Sequence, residues 1–371
     1  MMYSLPEGYE DIRSRAREFA LREFTEEVSR RYDESEEYPD EIRRKVFSAG
    51  FLDMADPWKV LIAMEEFCRV DPGLGLSAIA SMFGSEILML FGSDEQKERY
   101  LAPVLRGEKI SGFAVTEPSA GSDVAGIKST MERTPDGDYV LNGEKMFITN
   151  GTVADHYYLL ARTSPPESPD KRHHGLSLAI IERRWPGVSP TKLRGKLGMR
   201  STDTAEIKFE NVRVPKENLV GEEGKGFYYV MTFFNISRIY VAAQAVGVAQ
   251  GMLDLYLDYV LSSPSPPSEG AQFVLAEGAT KVEAARLMTY RAASLIFQFN
   301  PDPALTSMAK YYAAEVANEL AQKIMGIVGE DGLRGRLEKL YRDAKITEIW
   351  EGTSEIEKLV IYRQLSKRRS S

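Results

Sequence analysis

Apolar and charged residues alternate at helical spacing over the first third of the chain. In residues 9–31, Ile12, Ala16, Phe19 and Ala20 fall on one stripe of a 3.6-residue period, which predicts one amphipathic helix. The same pattern predicts helices over residues 40–49, where Gly50 is placed to stop the helix, and over 59–70 and 74–91. Ser93, followed three residues later by Gln96, is a capping-box signature for another helix start.

From about residue 111 the pattern changes. Asp136-Gly137 and Asn142-Gly143 are two hairpin-turn signals around Tyr139-Val-Leu, and strand-like runs follow at 156–161, 176–181 and 205–209. They predict a compact β domain, a barrel or sandwich. Helical spacing returns at 227–260, 274–299, 303–325 and 354–368, where Leu253, Leu257 and Leu261, then Leu320 and Ile324, keep an apolar stripe. Four antiparallel helices would bury such stripes against one another. The expected fold is therefore mostly α with a β domain: an N-terminal helical domain (1–110), a middle β domain (111–225) and a C-terminal four-helix bundle (226–371).

Composition narrows the partners. With 47 Lys+Arg, 55 Asp+Glu and a net charge of −8, nothing points to nucleic acid, and Lys367-Arg368-Arg369 reads as a solvated tail. The single cysteine, Cys68, forms no intrachain disulfide, which suits a reducing, cytoplasmic setting. Three histidines, His156, His173 and His174, give no basis for a His-rich metal site, and none is expected; the adjacent pair is expected to face solvent. Residues 1–7 carry no basic segment leading into an apolar core, so no leader is expected. The most apolar stretches, 74–91 and 227–253, are interrupted by Glu86 and by Asn235, Arg238 and Gln244, so they read as buried helices rather than membrane spans.

Four segments carry candidate chemistry, each with a plain structural reading beside it. Phe113-Ala-Val-Thr-Glu-Pro-Ser-Ala-Gly-Ser-Asp123 is a strand running into a loop with free N–H groups and hydroxyls, fit for a polar ligand or simply a well-made turn. Asn142-Gly-Glu-Lys-Met-Phe-Ile-Thr-Asn-Gly151 is a turn–strand–turn in which Phe147 would shield a ring and Thr149 donate to its edge, or a plain hairpin. In Ile349-Trp-Glu-Gly-Thr-Ser-Glu-Ile-Glu-Lys358, Ser354 with Glu357 predicts a capping box, leaving Glu351 in the loop beside Trp350. There it serves the helix dipole, or, with its charge disfavoured by burial, acts as a general base. Arg238 interrupts an apolar helix and needs a partner, either a structural carboxylate or a ligand.

With these segments in order, the chain resembles the FAD-dependent acyl-CoA dehydrogenase family over nearly its whole length. The likeness is also carried by Leu197-Gly-Met-Arg-Ser-Thr-Asp-Thr204, Val212-Arg-Val-Pro215, Gly221-Glu-Glu-Gly-Lys-Gly-Phe227 and Leu340-Tyr-Arg-Asp-Ala-Lys345. The resemblance implies an oxidoreductase of fatty acid metabolism, with FAD between the β domain and the bundle. It implies that Phe113, Val115, Thr116, Phe147, Ile148 and Thr149 meet the flavin, that Thr353 and Glu355 lie by the cofactor, and that Lys323 and Gly326 lie at its nucleotide end. Ser122, Asn235, Arg238 and Gly352 would line the acyl-CoA site. Glu351 would remove the α-proton while hydride leaves the β-carbon for the flavin. The thioester carbonyl would be held by the backbone N–H of Glu351 and the flavin ribityl chain. An electron-transfer flavoprotein or, in an oxidase, oxygen as electron acceptor, and a homo-oligomer, tetramer or dimer, are implied as well.

Three departures stand out against that resemblance. The segment 262–270 lacks the Arg and Phe of the family's Arg-x-x-Phe-Gly motif. In Lys323-Ile-Met-Gly-Ile-Val-Gly329, Ile327 replaces a glycine. The glycine-rich loop after Phe51-Leu52 is almost absent. Weak FAD affinity or altered assembly is the expectation, with a non-catalytic acyl-CoA-binding or partner subunit as the alternative function.

Overall fold

The computed structural model describes residues 8–370. Residues 1–7, read above as lacking a leader, lie outside the described residues. The N-terminal helices are α1 (Glu10–Glu23), α2 (Glu26–Ser35), α3 (Asp40–Ser48), α4 (Pro57–Val70), α5 (Pro72–Ile79), α6 (Ser85–Phe91), α7 (Asp94–Gln96) and α8 (Ala102–Leu105). The single helix expected over 9–31 is two, because the Thr25 side chain accepts from Val28 N and starts a new helix at Glu26. The helix expected over 74–91 is also two, broken where Gly84 takes φ 85°. A side chain at Gly84 would run into the Tyr158 ring, so this close approach requires glycine. The Ser93–Gln96 capping box forms as read. In place of the family's glycine-rich loop, Asp56 caps α4 and accepts from Tyr9 Oη at 2.8 Å.

The middle domain is one eight-stranded sheet: β1 (Ser111–Ala114), β2 (Thr130–Arg133), β3 (Tyr139–Thr149), β4 (His156–Arg162), β5 (Leu176–Glu182), β6 (Val188–Lys192), β7 (Thr204–Val214) and β8 (Leu219–Val220). Its order is β6-β7-β3-β2-β4-β5-β8, with β1 paired parallel to β4. Alternate residues of β4 and β5 bury into two different cores. Tyr157, Leu159, Ala179 and Ile181 join one, and Tyr158, Leu160, Leu178 and Ile180 join another that reaches α6. Asp136-Gly137 is the turn of the β2–β3 hairpin. Asn142-Gly143 is not a turn but a bulge inside β3, where the register with β7 slips between Leu141 and Gly143. The Asn142 side chain there accepts from Asn211 N.

His173 and His174 are half-buried rather than solvent-facing: His174 Nδ1 lies 2.7 Å from Glu167, and the His173 ring packs on Phe227. His156 is fully inside, with Nε2 3.2 Å from Tyr158 Oη. Burial, then the nearby Lys109 charge, pushes its pKa down to about 3. Below pH ~6.5 the unfolded chain binds a proton there that the folded chain refuses, so this stability is complete above 6.5 and is lost as pH falls toward 3. His156→Phe is therefore expected to have a shallower loss of stability across that window in urea titrations; an unchanged slope contradicts the assignment.

The C-terminal helices are α9 (Gly226–Ser262), α10 (Glu269–Phe297), α11 (Pro303–Val328), α12 (Arg336–Ala344) and α13 (Ser354–Ser370). α11 packs on α9, α10 and α13, and α10 also packs on α9, which makes the bundle. α10 begins at Glu269 and not near 274, because Ser268 caps it through Ala271 N at 3.2 Å. α4 packs along α9, so the N-terminal helices and the bundle share one core. Among the described residues no helix is long and apolar enough to cross a membrane, and no cluster of three or more His, Cys, Asp or Glu could hold a metal ion.

Candidate active site

Glu351 sits in the turn between α12 and α13, with φ 54°, in the left-handed region, followed by Gly352 at φ 101°. The Ser237 hydroxyl on α9 donates to Glu351 Oε2, and Arg238 Nε donates to the Glu351 carbonyl at 3.1 Å. Lys310 Nζ on α11 donates to the Gly352 carbonyl at 2.6 Å. α9 and α11 thus grip a strained turn from two sides. A side chain at Gly352 would overlap Glu357 Oε1, so the tight approach and the positive φ both require glycine.

Arg238 finds its counter-charge in the protein itself: Nε lies 2.9 Å from Glu357 Oε1, and Glu357 is 0% exposed. Of the two alternatives for Arg238, the structural carboxylate is present. The capping box expected from Ser354 and Glu357 therefore does not form. Glu357 is turned onto Arg238, Thr353 Oγ1 caps α13 through Ile356 N at 3.3 Å, and Ser354 Oγ is buried without a hydrogen bond.

Burial pushes the Glu351 carboxyl pKa up. The Ser237 hydroxyl, Arg238 and Lys310 pull it back, and Glu357 adds to the rise. Burial also brings Lys310 down to about 8, against the pull of Glu357 and Glu351. Such a carboxylate gains basicity without losing the donors that orient it.

The β-domain candidates converge on a second surface. Thr116 O accepts from Met146 N at 2.8 Å, which lays the segment after β1 against residues 146–149 of β3. A second register slip, between Lys145 and Ile148, coincides with φ 59° at Phe147 and leaves that ring 68% exposed, while Ile148 is buried and Thr149 and Thr116 are half-buried. Glu117 braces the loop. It accepts from Lys128 N and Ser129 N at 2.6 and 2.9 Å, and from Lys145 Nζ, which also donates to Val115 O. Burial alone would raise the Glu117 pKa, but Lys145 and these donors hold it low, while burial takes Lys145 to about 8.

Phe113 is buried under Phe83, Phe233 and Phe234, so its ring supports the surface from below. Through Phe234 this surface meets α9 one turn before Ser237 and Arg238; Asn235 is half-buried there, and Ser122 is exposed on the loop after Glu117.

The exposed Phe147 ring beside half-buried Thr116 and Thr149 suits the face of a flat ring with a polar edge, and near Glu351 in sequence Trp350 Nε1 and Ser354 Oγ are buried without partners. The nucleotide-end candidates lie elsewhere. Lys323 and Gly326 are near the far end of α11, roughly 20 Å from Lys310 at 1.5 Å per residue. Lys323 is 2.7 Å from Glu319 and 3.6 Å from Glu277, so its charge is already matched. Gly326 faces open space, and Ile327 is 47% exposed. Glu355 is exposed at the start of α13.

Lys310, Glu357 and the donor role of Ser237 were not foreseen in the sequence. A lone lysine on the Ala-rich face of α11 was the available signal for Lys310.

The chain matches three family models: acyl-CoA dehydrogenase N-terminal domain at residues 6–108, middle domain at 112–212 and C-terminal domain at 224–366. It is 38% identical to the caffeyl-CoA reductase–Etf complex subunit CarC of Acetobacterium woodii, over 96% of this chain and 98% of that protein. It is 36% identical to the short-chain specific acyl-CoA dehydrogenase of Clostridium acetobutylicum, covering 97% and 98%. The structure of butyryl-CoA dehydrogenase from Megasphaera elsdenii superimposes with a TM-score of 0.92 at 32% identity, covering 99% and 100%.

Proposed function

The chain belongs to the acyl-CoA dehydrogenase family, and from that premise we propose that it is a flavin-dependent oxidoreductase acting on the α,β carbon–carbon bond of an acyl-CoA thioester, with Glu351 as the base at the α-carbon. The observation that carries this is Glu351 itself: a carboxylate with raised pKa, held in a left-handed turn by Ser237 and Arg238.

FAD, when bound, supplies the two-electron acceptor. Phe147, Ile148, Thr149, Val115 and Thr116 would hold its ring, with Trp350, Thr353 and Ser354 on the side of α13. Glu351 accepts the α-proton at Oε1, the oxygen that Ser237 leaves free. The backbone N–H of Glu351 would donate to the substrate carbonyl. Arg238 and Lys310 fix the turn, and the apolar ring of Trp350 helps to exclude water.

In the reverse direction Glu351 returns a proton to the α-carbon of an unsaturated acyl-CoA. The relative in a reductase–Etf complex supports both that direction and an electron-transfer flavoprotein as redox partner. A homo-oligomer and CoA-tail contacts at Ser122 and Asn235 belong to the same reading.

Protein supplied with FAD is expected to absorb in the flavin band and to bleach anaerobically with at least one member of a panel of short- and medium-chain acyl-CoAs. A panel with no bleaching sinks the reading. Because Lys323 is paired and Ile327 takes a glycine's place, FAD affinity is expected to be weak when followed by tryptophan quenching; sub-micromolar binding would show those changes to be harmless.

A further inference from the structure

Two cations reach the Glu351 turn from different helices. Arg238 on α9 donates from Nε to the Glu351 carbonyl at 3.1 Å, and Lys310 on α11 donates from Nζ to the Gly352 carbonyl at 2.6 Å. Both are buried. The Ser237 hydroxyl adds a neutral donor to the carboxylate itself. A lone carboxylate facing two buried cations is held ionised, and a carboxylate held ionised is a poor base.

A second carboxylate completes the cluster. Glu357, in the first turn of α13, places Oε1 2.9 Å from the same Arg238 Nε that donates to the Glu351 carbonyl. Both Glu357 oxygens are shut off from solvent. Gly352 lies so close to Glu357 Oε1 that a side chain there would overlap it, and would also stand 3.3 Å from Arg238 Nη2. Two cations and two carboxylates from α9, α11, α13 and the turn thus balance one another. Burying a carboxylate is costly, and α13 has no need of this one as a cap, since Thr353 Oγ1 already accepts from Ile356 N.

Resting on the acyl-CoA reading above, we propose that Glu357 is a positioning residue for the base: it holds Arg238 on the Glu351 carbonyl and offsets one of the two cations, so that Glu351 keeps its place and its affinity for a proton. Glu357 acts through Arg238 and across Gly352. Its charge adds to the rise of the Glu351 carboxyl, which Arg238 and Lys310 oppose. Burial raises Glu357 as well, and Arg238, the Ser307 hydroxyl and Lys310 draw it back.

The test follows anaerobic flavin reduction against pH in FAD-loaded wild type, Glu357→Gln and Glu357→Asp, with the short- or medium-chain acyl-CoA that bleaches wild type fastest. Glu357→Gln keeps the shape and removes the charge. Arg238 and Lys310 then act on Glu351 without a counter-charge, its pKa falls, and the acid limb of the rate profile is expected to move down by about one unit. The limiting rate falls with it, because a weaker base takes the proton more slowly. Glu357→Asp keeps the charge and loosens the packing, so its limb is expected to lie nearer wild type. A purely structural role predicts the opposite order. Glu86 on α6, which also interacts with the Glu351 charge, is the same in all three proteins. Flavin content shows that each variant folds, and Glu357→Met serves as the neutral variant if Glu357→Gln holds no FAD. The proposal is overturned if the neutral variant leaves the acid limb in place or moves it up, or if Glu357→Asp moves it further down than the neutral variant does. If no acyl-CoA bleaches wild type, the acyl-CoA reading itself has failed and takes this inference with it.

Discussion

Glu351→Gln is expected to bind FAD and acyl-CoA as wild type does and to lose flavin reduction by substrate, by about 10²–10⁴-fold or more. Glutamine has the same shape, still accepts the Ser237 hydrogen bond, and leaves the Arg238–Glu357 pair and the Lys310–Gly352 contact untouched. What it removes is the capacity to take a proton. In wild type, flavin reduction should fall as pH drops through a pKa above the ordinary carboxylate range, because burial raises Glu351 and only the charged form is a base. Rapid-mixing absorbance at the flavin band reads both effects. A Glu351→Gln rate near wild type refutes the role.

Lys339→Met is expected to be the most damaging single change to stability, by about 3–5 kcal/mol. Lys339 Nζ lies 2.9 Å from Asp71 and 2.7 Å from Asp343, and all three are buried. Asp71 also caps α5 and accepts from Ser29 on α2, while Asp343 accepts from Met199 N in the β domain. The cluster therefore joins all three parts of the chain just ahead of the Glu351 turn.

Burial lowers the Lys339 pKa, but its two carboxylates more than reverse that, and the net shift is upward. Its contribution is complete below the unfolded lysine value and is lost only as pH rises through the higher folded one. In Lys339→Met two carboxylates face each other without a cation, so protonation relieves them and the deficit should shrink as pH falls below neutrality. Urea unfolding at two pH values measures this; a deficit under ~1 kcal/mol at pH 7 would refute the role assigned to the cluster.

The order of helical, β and helical segments was legible because each rests on periodicity, and the three domain models follow the same order. The breaks were less legible. Residues 9–31 keep a helical stripe straight through Thr25, whose hydroxyl nonetheless starts a new helix. At Asn142-Gly143 a turn dipeptide was used for a bulge, since β7 continues to pair on both sides of it.

At the site, Glu351 was legible as a carboxylate between an apolar ring and a glycine. The partner of Arg238 was not, because Glu357 is distant in sequence and looked like a cap. Glu86 was visible only as a charge that spoiled an apolar run.

The most direct test of Glu351 as the α-proton base uses a 3-thia-acyl-CoA, which offers an acidic α-hydrogen but resists dehydrogenation. FAD-loaded protein in deuterium oxide should wash the α-protons out of this analogue, followed by proton NMR, and Glu351→Gln should leave them in place. Equal washout by both proteins would contradict the account.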